Sequence, residues 1–264
     1  MIAVDAVQVV FNAGTPLQNE VLRGLSLDIA EGQFVTVIGS NGAGKSTLLN
    51  VLAGEVQPSR GRVRIGGRDV TGQAPHQRAA LVGRVFQDPL AGTCGELTIE
   101  ENLALAAARG TRRGFGRALD TARRTRFREA LAALGLGLEH RLHDRIGLLS
   151  GGQRQAVSLL MATLQPLQIL LLDEHTAALD PQTAALVLRL SCELIAEHRL
   201  TALMVTHSMR QALAVGDRTV MLHRGDVVFD VAGVERARLD VPDLLALFER
   251  ARGETLDQDD LLLA

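Results

Sequence analysis

The sequence predicts an α/β fold built on a parallel sheet with helices on both faces. Three observations carry the prediction. The apolar, β-branched run Phe34 to Ile38 ends in a glycine-rich turn and leads into a helical pattern. A fully apolar run, Ile169 to Leu172, is closed by Asp173 and Glu174, as expected of a buried parallel strand. Beyond it the patterns alternate: helix 181–197, strand 201–206, helix 208–215 and a strand pair near 218–230.

The other elements follow in chain order. Residues 2–10 and 25–30 read as short strands separated by the turn at Gly14, Thr15 and Pro16. Residues 46–53 read as the helix after the glycine-rich turn, and 62–66 and 81–86 as further strands. From about Thr98 to Gln165 the composition turns to Ala, Leu, Glu and Arg, which predicts a helical insertion. The tail from Gly253 to Ala264 is acidic and then apolar and is expected to fray.

Composition narrows the class. A chain of 264 residues suits one large domain, or one domain with a sizeable subdomain, at roughly 150 residues per domain. With 47% hydrophobic and 22% charged residues, wholesale disorder is excluded. A net charge of −2 gives no basic field for nucleic acid. Cys94 and Cys192 have no metal-like spacing, which favours a reduced compartment. The N-terminus lacks the basic start and apolar block of a signal peptide, and no uncharged apolar stretch approaches the ~18 residues of a membrane span, so a soluble chain is expected. Of 28 Lys and Arg residues only Lys45 is a lysine. A composition driven toward the flat guanidinium has kept one compact ammonium, so position 45 needs one.

That lysine lies in Gly39-Ser40-Asn41-Gly42-Ala43-Gly44-Lys45-Ser46, which fits G-x-x-x-x-G-K-[ST]. The glycines let backbone N–H groups turn inward around phosphate oxygens, and the helix that follows adds its positive end. Lys45 is the candidate for the β/γ-phosphates, Ser46 for Mg²⁺, and Thr47 completes the loop. At the end of the second apolar strand, Asp173 is the candidate for the Mg²⁺ shell and Glu174 for orienting or deprotonating an attacking water. Leu149-Ser150-Gly151-Gly152-Gln153 opens a helix with an S-x-x-Q capping box. Two consecutive glycines there cost about 1 kcal/mol each relative to Ala, which suggests a backbone lying close to a ligand.

The order phosphate loop, Gln87, L-S-G-G-Q, apolar strand with Asp-Glu, then His207 resembles the ATP-binding cassette (ABC) family of ATPases over about residues 1–230. The resemblance implies a P-loop NTPase parallel-sheet core, an N-terminal antiparallel β subdomain and an inserted α-helical subdomain. It implies ATP and Mg²⁺ as ligands, with ATP sandwiched between two cassettes. Position by position, Gln87 matches the Q-loop glutamine, which touches Mg²⁺ and couples to a transmembrane partner. Ser150, Gly151, Gly152 and Gln153 match the signature that contacts ATP of the opposite subunit. Asp180 matches the D-loop, and His207 matches the switch histidine. The family stacks adenine on an aromatic residue ahead of the lysine; with no Tyr in the chain, Phe11 is the candidate, the other reading being a Phe packed in the edge sheet.

One position departs from the pattern. His175 follows Glu174 where most members have Pro. An imidazole there would perturb the Glu174 pKa, bond the D-loop, or stand as an exposed spectator. The strings E-H-T-A-A-L-D-P and F-V-T-V-I-G-S-N-G-A-G-K-S-T resemble uptake ATPases that accompany branched-chain-amino-acid-like permeases. The cluster Arg109, Arg112, Arg113, Arg117, Arg123, Arg124, Arg126 and Arg128 reads as a solvated helical face, against a reading as a lipid or RNA contact.

The resemblance therefore implies an ATPase domain over 1–240, with the helical subdomain at about 90–165, then a C-terminal helix and tail over 241–264. The expected protein is a peripheral subunit on the cytoplasmic side of the inner membrane, importing amino acids or similar small organic solutes. Its expected partners are a second cassette (a homodimer), transmembrane permease subunits and a periplasmic or extracellular solute-binding protein, without nucleic acid. The competing reading is a soluble cassette ATPase such as one serving iron–sulfur assembly.

Overall fold

The computed structural model describes residues 1–111 and 118–252. Arg112, Arg113 and Arg117 of the basic cluster, and the tail from 253, lie outside the described residues. The chain divides into two compact units, Met1–Arg78 with Arg199–Ala264, and Ala79–His198.

In the first unit, β1 (Ile2–Phe11) and β2 (Asn19–Ile29) form a long antiparallel pair, and β3 (Phe34–Gly39) leads into α1 (Lys45–Ala53). β4 (Arg60–Ile65), β5 (Arg68–Asp69) and the one-turn α2 (Pro75–Arg78) follow. The second unit holds β6 (Val82–Val85), α3 (Ile99–Ala107), α4 (Thr121–Ala132), two short 3₁₀ turns, α5 (Gly151–Thr163), β7 (Ile169–Asp173) and α6 (Pro181–Glu197). The chain returns to the first unit with β8 (Ala202–Val205), α7 (Met209–Ala214), β9 (Arg218–His223), β10 (Asp226–Ala232), α8 (Gly233–Arg236) and α9 (Val241–Arg252).

The first unit carries two sheets. One is antiparallel with order β2-β1-β4-β5. The other sets β3 between β8 and β9, parallel to both, with β10 antiparallel at the edge of β9. All six residues of β3 are buried, which is why the strand reads as an unbroken apolar run instead of an alternating one. Its one hydroxyl, Thr36 Oγ1, is satisfied by Ala212 O at 3.1 Å and Thr219 Oγ1 at 3.0 Å. In the second unit β6 and β7 pair in parallel.

Two features fix the elements on either side of the glycine-rich loop. Arg78 is fully buried and its Nη1 donates to Val51 O and Leu52 O, at 2.6 and 3.0 Å, closing the C-terminus of α1 with a cation where the helix dipole favours one. The strand that leads into the loop is held as well: Leu244 and Phe248 of α9 are buried with Ile38 of β3, Met209 and Met221. The region expected as helical from Thr98 to Gln165 is interrupted: Gly135 and Gly137 adopt left-handed φ of 67° and 69°, ending α4 and opening the first 3₁₀ turn. α3, α4 and α5 remain as separate helices.

Candidate functional site

The first unit builds the glycine-rich loop between β3 and α1. Gly39, Gly42 and Gly44 have φ of 151°, 76° and 102°, conformations that a residue with a Cβ adopts only under strain. A Cβ on Gly39 would stand 2.2 Å from Leu222 O, whereas a Cβ on Gly42 would meet nothing within 4 Å. Asn41 and Gly42 are exposed and Ala43 is buried beneath them. Ala43 N closes the turn on Ser40 O at 3.1 Å, and Ala43 O accepts from Gly225 N at 3.1 Å.

Lys45 is 4% exposed, and its ammonium donates to Gly39 O at 2.6 Å and Ser40 O at 3.0 Å. It is thereby folded across the loop it belongs to. Gly44 starts α1 without a side-chain cap, with Ser46 exposed and Thr47 half-buried in the first turn, a helix N-terminus of the kind that suits an anion. His207 follows β8, whose end is tied to β3 by Thr206 N donating to Val37 O at 3.1 Å. Phe11 closes β1 opposite Asn19 and is 40% exposed, so it is not packed away in the edge sheet.

The second unit holds the remaining expected residues. Asp173 ends β7, and Glu174 follows in a left-handed conformation, φ 46°, rare for a residue with a long side chain. Ala177 N donates to Glu174 O at 2.9 Å, closing the turn. Gln87 is exposed just beyond β6. Ser150 caps α5: its Oγ accepts from Gln153 N and Gln153 Oε1 accepts from Ser150 N, both at 3.3 Å, the reciprocal box that the sequence spacing predicts. Gly151 is exposed, but a Cβ on Gly152 would lie 1.9 Å from Thr183 Cγ2. The second glycine thus has a packing reason, the close approach of α6, in addition to any ligand. Asp180 caps α6 through Thr183 N at 3.1 Å, and hydrogen bonds from the Thr183 side chain and then its backbone hold the carboxyl below the ordinary range.

His175 is 1% exposed, which overturns the spectator reading, and its bond goes to α6 and not to the D-loop. Ser191 Oγ donates to Val187 O at 2.8 Å, so His175 Nε2 must be the donor to Ser191 Oγ, also at 2.8 Å. The ring is hooked to α6 as the neutral Nε2–H tautomer. Burial pushes its pKa down to about 4. Unfolded, the ring titrates near 6.5, so its contribution to stability is complete above that pH and is lost as pH falls through about 4. The contribution amounts to about 3 kcal/mol. His175→Gln keeps a donor for Ser191 without the titration. Its unfolding free energy is expected to drop less than the wild type's between pH 7.5 and 4.5; equal drops would remove His175 from the pH response.

Two residues near these motifs were not expected from the sequence. Arg84, in the four-residue strand β6, ion-pairs through Nη2 with Asp173 Oδ2 at 2.7 Å, and its guanidinium lies 4.6 Å from the Phe86 ring centroid. Gln155, fully buried in α5, donates from Nε2 to Phe86 O at 2.9 Å. The available signal was a charge in an apolar strand and an amide on the buried face of a helix.

A family model described as ABC transporter matches residues 22–177. The chain is 43% identical over 233 residues to the tyrosine transport ATP-binding protein of Clostridioides difficile (strain R20291), over 88% of this chain and 92% of that protein. The chain belongs to the ABC transporter family. It is of the ATP-binding subunit type and carries the ABC ATPase domain, the expected parallel-sheet core and antiparallel β subdomain included. It is also 41% identical over 201 residues to the thiamine import ATP-binding protein ThiQ of Rhizobium meliloti (strain 1021), over 74% of this chain and 77% of that one. A dimeric structure of a post-hydrolysis state of an ATP-binding cassette bound to ADP and Pi matches with a TM-score of 0.75 at 30% identity, covering 88% of this chain and 98% of that one.

ATP and Mg²⁺ fit different parts of this ABC subunit. The open face at Gly42, the uncapped start of α1 and the buried ammonium suit a polyphosphate. Among the described residues no group of three or more His, Cys, Asp or Glu is placed to hold a metal. In the first unit Ser46 carries a hydroxyl oxygen, and in the second Gln87 and Asp173 carry amide and carboxylate oxygens, each a donor type that a hard Mg²⁺ takes. No helix among the described residues is long and apolar enough to cross a membrane.

Proposed function

We propose that this ABC subunit hydrolyses Mg·ATP to drive uptake of an amino acid or similar small organic solute. The glycine-rich loop with its buried Lys45 carries the ATP part of the reading. The uptake part is supported by the 43% identity to a subunit named for tyrosine transport and by the import names of the thiamine, phosphonate and sulfonate relatives. These relatives favour transport over the iron–sulfur assembly reading.

In this reading Lys45 exchanges its loop carbonyls for β/γ-phosphate oxygens, and the N–H groups of Gly42 to Ser46 bind the remaining phosphate charge. Phe11 stacks on adenine. Ser46, Gln87 and Asp173 would hold Mg²⁺, which when bound would supply charge neutralisation on the phosphates. Glu174 accepts a proton from the attacking water, and His207 donates to the γ-phosphate oxygens as charge develops there. Ser150, Gly151, Gly152 and Gln153 act on the ATP of a second copy, and Asp180 speaks across that interface. Catalysis is positioning and electrostatic stabilisation with no covalent intermediate.

The partners in this reading are a second cassette, here a homodimer, a membrane-embedded permease and a solute-binding protein outside the membrane. The subunit then sits peripherally on the cytoplasmic face. The ATPase domain spans 1–240, with the helical subdomain at about 90–165. The test is size-exclusion chromatography with light scattering, and phosphate release, for the purified chain in ATP with Mg²⁺ or with EDTA. Phosphate release only with Mg²⁺, and an ATP-dependent shift from monomer to dimer, are expected. ATP binding with neither, even after the permease is added in lipid, would leave a nucleotide sensor instead.

A further inference from the structure

One side chain links the end of β7 to the segment that carries Gln87. Arg84 holds Asp173 through an ion pair of 2.7 Å in which the two side chains are 11% and 14% exposed. The same guanidinium covers the face of Phe86, the residue before Gln87. The backbone of Phe86 is in turn fastened to α5 by Gln155, two residues beyond the L-S-G-G-Q string. β6 and β7 are in parallel register with Arg84 opposite Leu171, so the guanidinium reaches two residues along β7 to its end.

This geometry has an electrostatic consequence. Asp173 has one negative charge, and a guanidinium at 2.7 Å in a site shielded from solvent already neutralises much of it. A divalent cation drawn to Asp173 must share that charge, which weakens the hold on Arg84. Arg84 also stacks on Phe86, so a weaker ion pair changes the restraint on the ring and on the chain that carries Gln87. By linkage the effect is reciprocal: whatever pulls Phe86 off the guanidinium changes the affinity of Asp173 for the cation.

We propose that Arg84 is a positioning residue that competes with the metal ion for Asp173 and transmits metal occupancy to the Gln87 segment through Phe86. The inference rests on the Mg·ATP reading above. It gives the charged residue in β6 a function that a merely structural ion pair lacks.

The chain carries its own reporter. Cys94 is exposed, and its backbone is anchored to Asn102 of α3 by bonds of 2.8 and 3.1 Å. A bimane label on Cys94, in a Cys192→Ser background, reads the environment of the segment after Gln87. Mn²⁺ serves as the metal probe, its free form counted by electron paramagnetic resonance with the protein saturated in ATPγS. In Arg84→Met the Mn²⁺ affinity is expected to rise about fivefold, and the label's response to Mn²⁺ to disappear. Phe86→Leu keeps the ion pair but removes the ring from the guanidinium, so by the same linkage its Mn²⁺ affinity shifts by less than in Arg84→Met while the response is lost. This second variant decides the question if Arg84→Met does not fold.

Unchanged or weaker Mn²⁺ uptake in Arg84→Met overturns the competition, and a full label response in Phe86→Leu overturns the transmission. Wild-type protein that binds ATPγS without taking up Mn²⁺ overturns the metal site itself. That failure is distinct from a wild type that takes up Mn²⁺ no differently from Arg84→Met.

Discussion

Glu174→Gln is expected to lower phosphate release at least about a hundredfold, the low end of what a positioned general base contributes, while the ATP-bound dimer accumulates. Gln has the same length and keeps the backbone's hydrogen bonds, so the left-handed turn at φ 46° survives. What is lost is the acceptor for the water's proton. Non-glycine residues in that conformation cost about 1–3 kcal/mol and persist only where their surroundings over-determine them. Here the surroundings are the buried strand β7 on one side and, on the other, the His175 ring hooked to Ser191. The check is single-turnover phosphate release beside light scattering in ATP. Turnover within about threefold of wild type would assign the proton to another group.

Gly39→Ala is expected to be the most damaging single-methyl change in the loop. The added Cβ would stand 2.2 Å from Leu222 O and 3.2 Å from the Ala43 Cβ. Leu222 is the register partner of Gly39 on β9, so relief requires the two central strands to part. Overpacking and a strained φ of 151° together cost about 3–5 kcal/mol, which lowers the melting temperature by roughly 10 °C or more. Gly42→Ala separates stability from function. Its Cβ meets nothing within 4 Å, so only the conformational strain of about 1–2 kcal/mol remains. The methyl nevertheless adds bulk and strain to the glycine-rich loop itself, so nucleotide affinity should fall while the fold holds. Thermal melts with ATP titrations of both variants check the pair; equal melting temperatures would contradict the packing argument.

Much of this was legible in the sequence because several segments announce themselves locally. The helix expected at 181–197 is found at Pro181–Glu197, fixed by Asp180 as cap and Pro181 in the first turn. The run 34–38 and the strand ending at Asp173 are recognisable because strands buried on both faces are uniformly apolar. Shorter elements escaped: β5 has two residues and α2 and α8 four each, too few for a period to show. Antiparallel β2 starts at Asn19, ahead of the strand expected at 25–30, because its first half mixes polar and apolar residues without strict alternation. The partners of Arg84, Gln155 and Ser191 could not be read from the sequence. They lie 89, 69 and 16 residues away, and only strand register and helix rotation bring them together.

The position of β3 between β8 and β9 has a consequence for how the chain is made. Both neighbours of the loop-bearing strand are encoded more than 160 residues downstream, since β3 ends at Gly39 and β8 begins at Ala202. At roughly 5–20 residues per second, a ribosome finishes β9 about 10–40 s after β3. Throughout that interval the nascent loop has no sheet to set its glycines in the left-handed region, whereas all of Ala79–His198 has already been synthesised before β8 appears. Phosphate-binding geometry is therefore acquired near the end of translation, and an incomplete chain does not carry a finished nucleotide cradle.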